Sequence, residues 1–232
     1  MISTIFFDLD GTLIDQKTAQ NEACLTLYRC YGFSTAVSEG DFIRKWDSLT
    51  EFHYDAYLRR ECTYNEQRER RIVDLFAAYG IDRTGKEPLA IYDEYLYYFE
   101  KNWRPYPEVK ECLEALKGYR LGILTNGDTT QQNQKLEATG LASYFFYVVC
   151  AGDYDYAKPD PRLFEAACQL AGVPVSDCLY VGDSFKSDIA PCLTLGMPCV
   201  FINRKNKKVE EGICATPTCE AIPAIVAHLN GK

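Results

Sequence analysis

Phe6-Phe7-Asp8-Leu9-Asp10-Gly11-Thr12-Leu13 is an apolar run that breaks into two carboxylates and then a Gly-Thr pair. The residues leading into it, Thr4–Phe7, have the length and near-continuous apolar character of a strand buried on both faces. On extended backbone, residues i and i+2 point the same way, so Asp8 and Asp10 are expected to face one side. Two anions facing one cleft repel unless a cation lies between them. Oxygen ligands of this kind suit a hard cation such as Mg²⁺. Aspartate and glycine also end strands simply as turn residues, so the octapeptide alone supports both readings.

Four more runs of strand length follow, at 121–124, 145–150, 178–181 and 198–202. Each precedes a loop rich in Gly, Asp, Asn or Thr. Helical spacing occupies 131–139, 162–171, 185–195 and 221–229, and Gly140 and Gly172 sit where C-terminal caps belong. The alternation predicts an α/β fold, a Rossmann-like parallel sheet covered on both faces. Residues 15–104 read differently. Ile72, Leu75, Phe76 and Tyr79 follow i, i+3, i+4, i+7 spacing, as do Tyr92, Tyr95, Leu96 and Phe99. Phe42, Trp46, Leu49 and Phe52 hold a similar face. Thr63-x-x-Glu66 is a capping box, and Ser38-x-x-Asp41 is a weaker relative. Four helices and no strand are expected there, inserted after the first strand. The chain returns through Trp103-Arg104-Pro105-Tyr106-Pro107, where two prolines end the preceding helix. The expected domains are a core of 1–14 with 105–232 and a helical cap of 15–104.

Three other strand ends carry chemical groups. Thr125-Asn126-Gly127 offers a hydroxyl and backbone N–H groups to an anion, though Thr-Asn-Gly is also ordinary turn chemistry. Lys158, followed by Pro159, could supply a point charge to a phosphoryl group or could be an exposed lysine before a helix. Asp183 ends a strand and Asp188 falls one turn further. Asp183 could complete a metal site with Asp8, or Asp183 or Ser184 could cap the next helix. All four elements fall at C-terminal ends of expected parallel strands, the edge at which open α/β sheets bind ligands.

Composition narrows the partners. The net charge is -8 and the pI about 4.9, so a nucleic-acid polymer would be repelled, while a local pocket for one small phosphate fits. The eleven cysteines are odd in number, and Cys150, Cys178 and Cys199 lie in apolar runs. Reduced core thiols in the cytoplasm are expected. His53 and His228 are the only histidines, which gives a zinc cluster little support. The N-terminus meets Asp8 with no basic region before it, unlike a signal peptide. No apolar run approaches the roughly 20 residues needed to span a membrane. The basic cluster at 205–208 reads as a solvated loop.

In order and placement these elements resemble the four motifs of the haloacid dehalogenase-like superfamily. They are Asp8-Leu9-Asp10-Gly11-Thr12, Thr125, Lys158, and Gly182-Asp183 with Asp188. The resemblance covers essentially the whole chain, and the insert looks like the family's all-helical C1 cap. It implies that Asp8 attacks phosphorus to form an aspartyl-phosphate and that Asp10 is the general acid and base. It implies Mg²⁺ held by the carboxylates of Asp8 and Asp183 and the main-chain carbonyl of Asp10. Lys158, the Thr125 hydroxyl and the Asn126 N–H would surround the phosphoryl group, and Asp188 would hold Lys158 or a metal-bound water.

Cap closure would exclude bulk water, with hinges after Leu13 and at 103–107. Arg44, Lys45, Arg59, Arg60 and the ten tyrosines from Tyr28 to Tyr98 are either substrate contacts or ordinary solvated and packing groups. Haloacid dehalogenases proper carry tyrosine where this chain has Asp10, and phosphonatases carry alanine, so Asp10 favours phosphate esters. The expected substrate is a small phosphorylated metabolite, a nucleoside monophosphate or a sugar phosphate. A phosphosugar mutase of the same family is the alternative enzyme. A non-catalytic binding module would be marked by loss of Asp8 or Asp10, and both are present.

Overall fold

A computed structural model of the chain describes residues 1–231. The elements run β1 (Thr4–Phe7), α1 (Gln16–Cys30), α2 (Glu39–Leu58), α3 (Tyr64–Tyr79), α4 (Pro88–Lys101), α5 (Val109–Ala115), β2 (Arg120–Thr125), α6 (Thr129–Thr139) and β3 (Tyr147–Cys150). They continue with α7 (Pro161–Ala171), β4 (Cys178–Gly182), α8 (Ala190–Leu195), β5 (Cys199–Ile202), β6 (Ala215–Thr216) and α9 (Ile222–Leu229). Two units result: Met1–Gln16 with Arg104–Lys232, and Lys17–Trp103.

The first unit is a six-stranded sheet in the order β3-β2-β1-β4-β5-β6, parallel throughout. Alternate strand residues feed two apolar layers. Ile5, Phe7, Ile123, Leu179 and Val181 pack with Val109, Leu113, Ile222 and Val226 from α5 and α9. Phe6, Leu124 and Tyr180 pack with Leu163, Phe164, Ala167 and Cys192 from α7 and α8. Register sets the strand ends level: Phe7 pairs with Ile123 on one side and Val181 on the other. Asp8, Leu124 and Gly182 therefore stand in one row at the C-terminal edge. The chain reverses direction through the sheet between β1 and β4, the kind of switch point where such sheets hold ligands. The segments leaving and returning to the sheet pair with each other. Tyr106 N donates to Leu13 O at 3.0 Å, and Asp15 N to Arg104 O at 3.0 Å.

The second unit comprises α1 to α4. Its buried face gathers Leu27, Phe33, Phe42, Trp46, Ile72, Leu75, Ile91 and Tyr95. The Phe33 ring centroid lies 4.6 Å from Phe42 and 4.9 Å from Phe76. Thr63 makes the full capping box: Glu66 N donates to its hydroxyl at 3.2 Å, and Thr63 N donates to Glu66 Oε2 at 2.7 Å. At Ser38 only half of the arrangement forms. Asp41 N donates to the Ser38 hydroxyl, which in turn donates to the Asp41 carboxylate.

Several sequence expectations shift. Phe52 points to solvent, 65% exposed, and His53 takes the buried place one turn after Leu49, with its Nε2 2.8 Å from Asp74 Oδ2. From Leu49 the buried face continues at i+4, to His53, and not at i+3. The run 185–195 divides into one π-helical turn at Phe185–Ile189 and then α8. The third and fifth strands begin later than their apolar runs, at Tyr147 and Cys199. Helix α5 and the two-residue β6 carry too short a pattern to stand out. Gly140 and Gly172 do sit at helix C-caps with left-handed φ of 69° and 68°. No helix among the described residues is long and apolar enough to cross a membrane.

Burial separates two phenylalanines of the second unit. Phe33→Ala is expected to cost about 3–5 kcal/mol of unfolding free energy, whereas Phe52→Ala should stay within about 0.5 kcal/mol of the parent. Urea denaturation of both variants checks this, and a larger loss at Phe52 would contradict the packing.

Candidate active site

Asp8 follows directly on β1 and its main-chain N–H donates to Val181 O at 2.9 Å, which ties it to β4. Its carboxylate is buried. Lys158 Nζ donates to Asp8 Oδ1 at 2.7 Å and to Asp188 Oδ1 at 2.7 Å, and the hydroxyl of Tyr180 lies 2.9 Å away. Thr12, one turn after Asp8, puts its hydroxyl 3.3 Å from Asp8 Oδ2 and 3.4 Å from Asp183 Oδ1. Asp188 also accepts from Ser184 N at 2.9 Å. The Tyr180 proton has two acceptors in reach, Leu124 O at 3.1 Å and Asp188 Oδ1 at 3.0 Å. Ser184 does cap the turn that follows, accepting from Ser187 N at 3.2 Å. Capping and site-building thus coexist at this strand end.

Asp8, Asp183 and Asp188 bring carboxylate oxygens within 4.8 Å of one another. Charge there is out of balance. Burial pushes the Asp8 carboxyl up most; Lys158 pulls it down, but Asp188 and Asp183 push it up further, and it ends above the ordinary carboxylate range. Asp183 is pushed up to about 6, mainly by burial and then by Asp188. Burial alone would lower the Lys158 ammonium, yet Asp188 and Asp8 outweigh that and hold it above the usual lysine value. Three carboxylates share one ammonium, and all the donors are oxygens. That donor set fits a hard divalent cation such as Mg²⁺.

Backbone geometry makes room for this crowding. Gly11 has φ of 92°, and a Cβ there would stand 2.6 Å from Asp183 Oδ2. A Cβ on Gly182 would stand 2.5 Å from the Asp188 carboxylate. Both positions therefore require glycine.

The other expected residues converge from neighbouring strand ends. Thr125, last residue of β2, is buried; its hydroxyl accepts from Gly127 N at 3.2 Å and Gln132 Nε2 at 2.9 Å. The Asn126 side chain clamps the main chain of Lys158. Its Nδ2 donates to Lys158 O at 2.9 Å, and Lys158 N donates to its Oδ1 at 2.7 Å. Its amide side chain thus has a task that the sequence did not suggest, aiming the lysine. Asp10 departs from the same-side expectation. β1 ends at Phe7, so strand alternation no longer governs two residues beyond Asp8. The Asp10 carboxylate meets Lys135 Nζ at 2.6 Å and Gln132 Nε2 at 2.8 Å instead.

Sequence reasoning missed Gln132, Lys135, Tyr180 and Arg204. Arg204 donates to Thr12 O at 2.8 Å and Gly11 O at 3.3 Å, pairs with Glu108 at 2.8 Å and lies 3.4 Å over the Tyr106 ring. It braces the loop after Asp10. Tyr180 was hidden inside an apolar strand, and Gln132 and Lys135 look like any polar residues of an amphipathic helix. Of Arg44, Lys45, Arg59 and Arg60, the cations singled out in the sequence, Arg44 pairs with Asp41 and Arg59 with Glu61 on exposed faces.

Comparison with known proteins gives the family. Residues 2–196 match the family model of the haloacid dehalogenase-like hydrolases. The chain is 30% identical over 216 residues to N-acylneuraminate-9-phosphatase of Homo sapiens, covering 88% of this chain and 83% of that protein. It is 30% identical over 213 residues to glyceraldehyde 3-phosphate phosphatase of Pyrococcus abyssi, covering 87% and 81%. Among solved structures, the putative hydrolase YfnB of Bacillus subtilis, bound to magnesium, superposes with a TM-score of 0.82 at 19% identity, covering 100% and 99% of the two chains. That likeness is one of fold. The family match over most of the length, the two phosphatase relatives and the parallel sheet lead to one assignment: this chain belongs to the haloacid dehalogenase-like hydrolases.

Proposed function

We propose that this chain is a magnesium-dependent phosphatase that frees phosphate from a small phosphorylated metabolite through an aspartyl-phosphate on Asp8. Family and relatives make it a phosphoric monoester hydrolase. The observation that carries the finer reading is the Asp8 carboxylate at the C-terminal edge of the sheet, held by Lys158 at 2.7 Å inside a cluster of acids. Relatives are named as phosphatases of N-acylneuraminate 9-phosphate and glyceraldehyde 3-phosphate and as a pyrimidine 5'-nucleotidase, which supports a sugar phosphate or a nucleoside monophosphate as the substrate class for this chain. The four-helix unit is read as the cap that selects the leaving group. Buried thiols such as Cys150 and Cys178 suit a cytoplasmic enzyme.

In this reading an Asp8 carboxylate oxygen attacks phosphorus in line, the bond to the leaving oxygen breaks, and Asp10 gives that oxygen a proton. Asp10 then takes a proton from the water that attacks the acyl-phosphate, and free phosphate leaves. Lys158, the Thr125 hydroxyl and the Asn126 main-chain N–H meet the charge on the phosphoryl oxygens. Asn126 and Tyr180 keep Lys158 aimed, and Asp188 shares its charge. Asp8, Asp183 and the Asp10 carbonyl would hold Mg²⁺, which supplies countercharge to the carboxylates and the phosphoryl group.

Chelator-stripped protein should lose turnover of a general phosphomonoester and regain it with Mg²⁺. The cation should also raise the thermal midpoint, since binding at a hundredfold excess over Kd stabilises by about 2.7 kcal/mol. Asp183→Asn should abolish that thermal shift. Full activity in stripped protein would remove the metal from the reading.

Asp8→Asn should end turnover while leaving the fold intact, because asparagine nearly matches the shape but its amide is no nucleophile. Acid quench of the parent during turnover, followed by peptide mapping, should find phosphate on Asp8. Phosphate on another residue would refute the assignment.

Asp10→Asn should separate the half-reactions. Turnover of alkyl phosphates should fall by about 10² to 10⁴, the usual worth of general acid–base help. With p-nitrophenyl phosphate a burst of p-nitrophenol should precede a slow steady state as phosphoenzyme accumulates. Parent-like steady rates on both substrates would show that Asp10 is not the acid–base group.

A further inference from the structure

Asp10 stands two residues from Asp8, yet its carboxylate lies outside the cluster of acids. The carboxylate oxygens gathered within 4.8 Å belong to Asp8, Asp183 and Asp188. Asp10 Oδ1 instead accepts from Lys135 Nζ at 2.6 Å, and Oδ2 from Gln132 Nε2 at 2.8 Å. Both donors come from α6, three residues apart on one helical face. They are also joined to each other, because Lys135 Nζ donates to Gln132 Oε1 at 2.8 Å. Gln132 Nε2 reaches Thr125 Oγ1 as well, at 2.9 Å. The amide orientation is thereby fixed: its oxygen faces an ammonium and its nitrogen faces a carboxylate and a hydroxyl, and a flip would break all three contacts.

The cradle is built tightly. Lys135 is 1% and Gln132 0% exposed. Gly127 gives way to it, since a Cβ there would stand 2.2 Å from Gln132 Nε2. A buried lysine is a costly way to support a helix; an apolar side chain of similar volume serves packing as well or better. The cost has a use where a carboxylate must be kept in one place. A carboxylate beside a divalent cation is drawn onto it, and once bound there it can neither give nor take a proton readily. A fixed ammonium and amide on the opposite side offer a competing hold.

Building on the phosphatase reading above, we infer that Gln132 and Lys135 are positioning residues for Asp10, holding its carboxylate on the α6 side and apart from the Asp8–Asp183–Asp188 cluster so that it serves proton transfer. Neither residue takes part in bond making. The proton passes from Asp10 to the leaving oxygen as the ester P–O bond breaks, and back to Asp10 from water as the new P–O bond forms. Lys135 and Gln132 donate the same hydrogen bonds before and after.

The experiment uses the full chain loaded with Mg²⁺ and compares Lys135→Met, Gln132→Met and Asp10→Asn. Glycerol phosphate serves as the alkyl substrate and p-nitrophenyl phosphate as the activated one. Each methionine variant should lower kcat on glycerol phosphate by roughly 10- to 100-fold, a share of the full acid–base contribution, with KM within about twofold of the parent. On p-nitrophenyl phosphate the burst rate should stay near the parent's while the following steady state slows. In an Asp10→Asn background, Lys135→Met should add little, because the group it positions is already gone. A purely structural role would depress burst and steady state together on both substrates, and that result overturns the inference. So do parent-like rates in both methionine variants while Asp10→Asn shows its split. If Asp10→Asn itself shows no split, the acid–base reading fails and the inference falls with it. Should Lys135→Met fail to fold, Gln132→Met keeps the ion pair and reads the same split.

Discussion

Repulsion among carboxylates at the sheet edge governs the rest of the molecule. Asp8, Asp183 and Asp188 have oxygens within 4.8 Å of one another in a largely buried cleft. At that separation, with an effective dielectric of about 20, one pair of full charges repels by more than about 3 kcal/mol. Random side chains would turn away. Here they cannot, because Asp8 is bonded to β4 through its own N–H, Gly182 ends that strand beside it, and Asp188 is bonded back to Ser184 N. Lys158 offsets part of the repulsion by reaching two of the three acids at once. The remainder is a standing demand for positive charge, which a divalent cation could meet.

The demand extends into backbone chemistry. Lys158 must arrive at one point from a loop after β3, and the two hydrogen bonds between its main chain and the Asn126 side chain fix that arrival. Gly11 and Gly182 lie under carboxylates that leave no space for a Cβ. Arg204, just past the end of β5, holds the carbonyls of Gly11 and Thr12 and so keeps the turn closed. Side chains remote in sequence therefore share a single purpose, which is to keep like charges close.

Much of this was legible from residue order. The apolar runs at Thr4–Phe7 and before Thr125, Lys158 and Asp183 place the strand ends, since burial on both faces leaves a continuous signature. The capping box at Thr63 and the glycines at 140 and 172 mark helix ends because each does one local thing. Long-range partners left no such mark. Gln132 and Lys135 have the spacing of an exposed helical pair but are buried, and that depends on Asp10, over a hundred residues away. Tyr180 reads as one more apolar strand residue until its hydroxyl is seen beside Lys158. Phe52 failed for a smaller reason: on α2 either i+3 or i+4 continues the face, and only packing decides between them.

The two aspartates of the first motif show how little separation in sequence is needed for different chemistry. Asp8 belongs to β4 and its loop, through Val181, Lys158 and Asp183. Asp10 belongs to α6, through Gln132 and Lys135. The change of partner takes place across a single residue, Leu9, whose side chain is fully buried and anchors the turn in the apolar core. After it comes Gly11 with φ of 92°, a conformation that bends the chain back so that Gly11 N donates to Ile14 O at 2.9 Å. A straight strand would have sent both carboxylates into the same cluster and added a fourth negative charge to it. Ending β1 at Phe7 and turning at Gly11 gives one acid to the cluster that calls for a cation and leaves the other beside a fixed ammonium. One carboxylate thus stands among other acids and its neighbour beside an ammonium and an amide, and the turn supplies both settings within three residues.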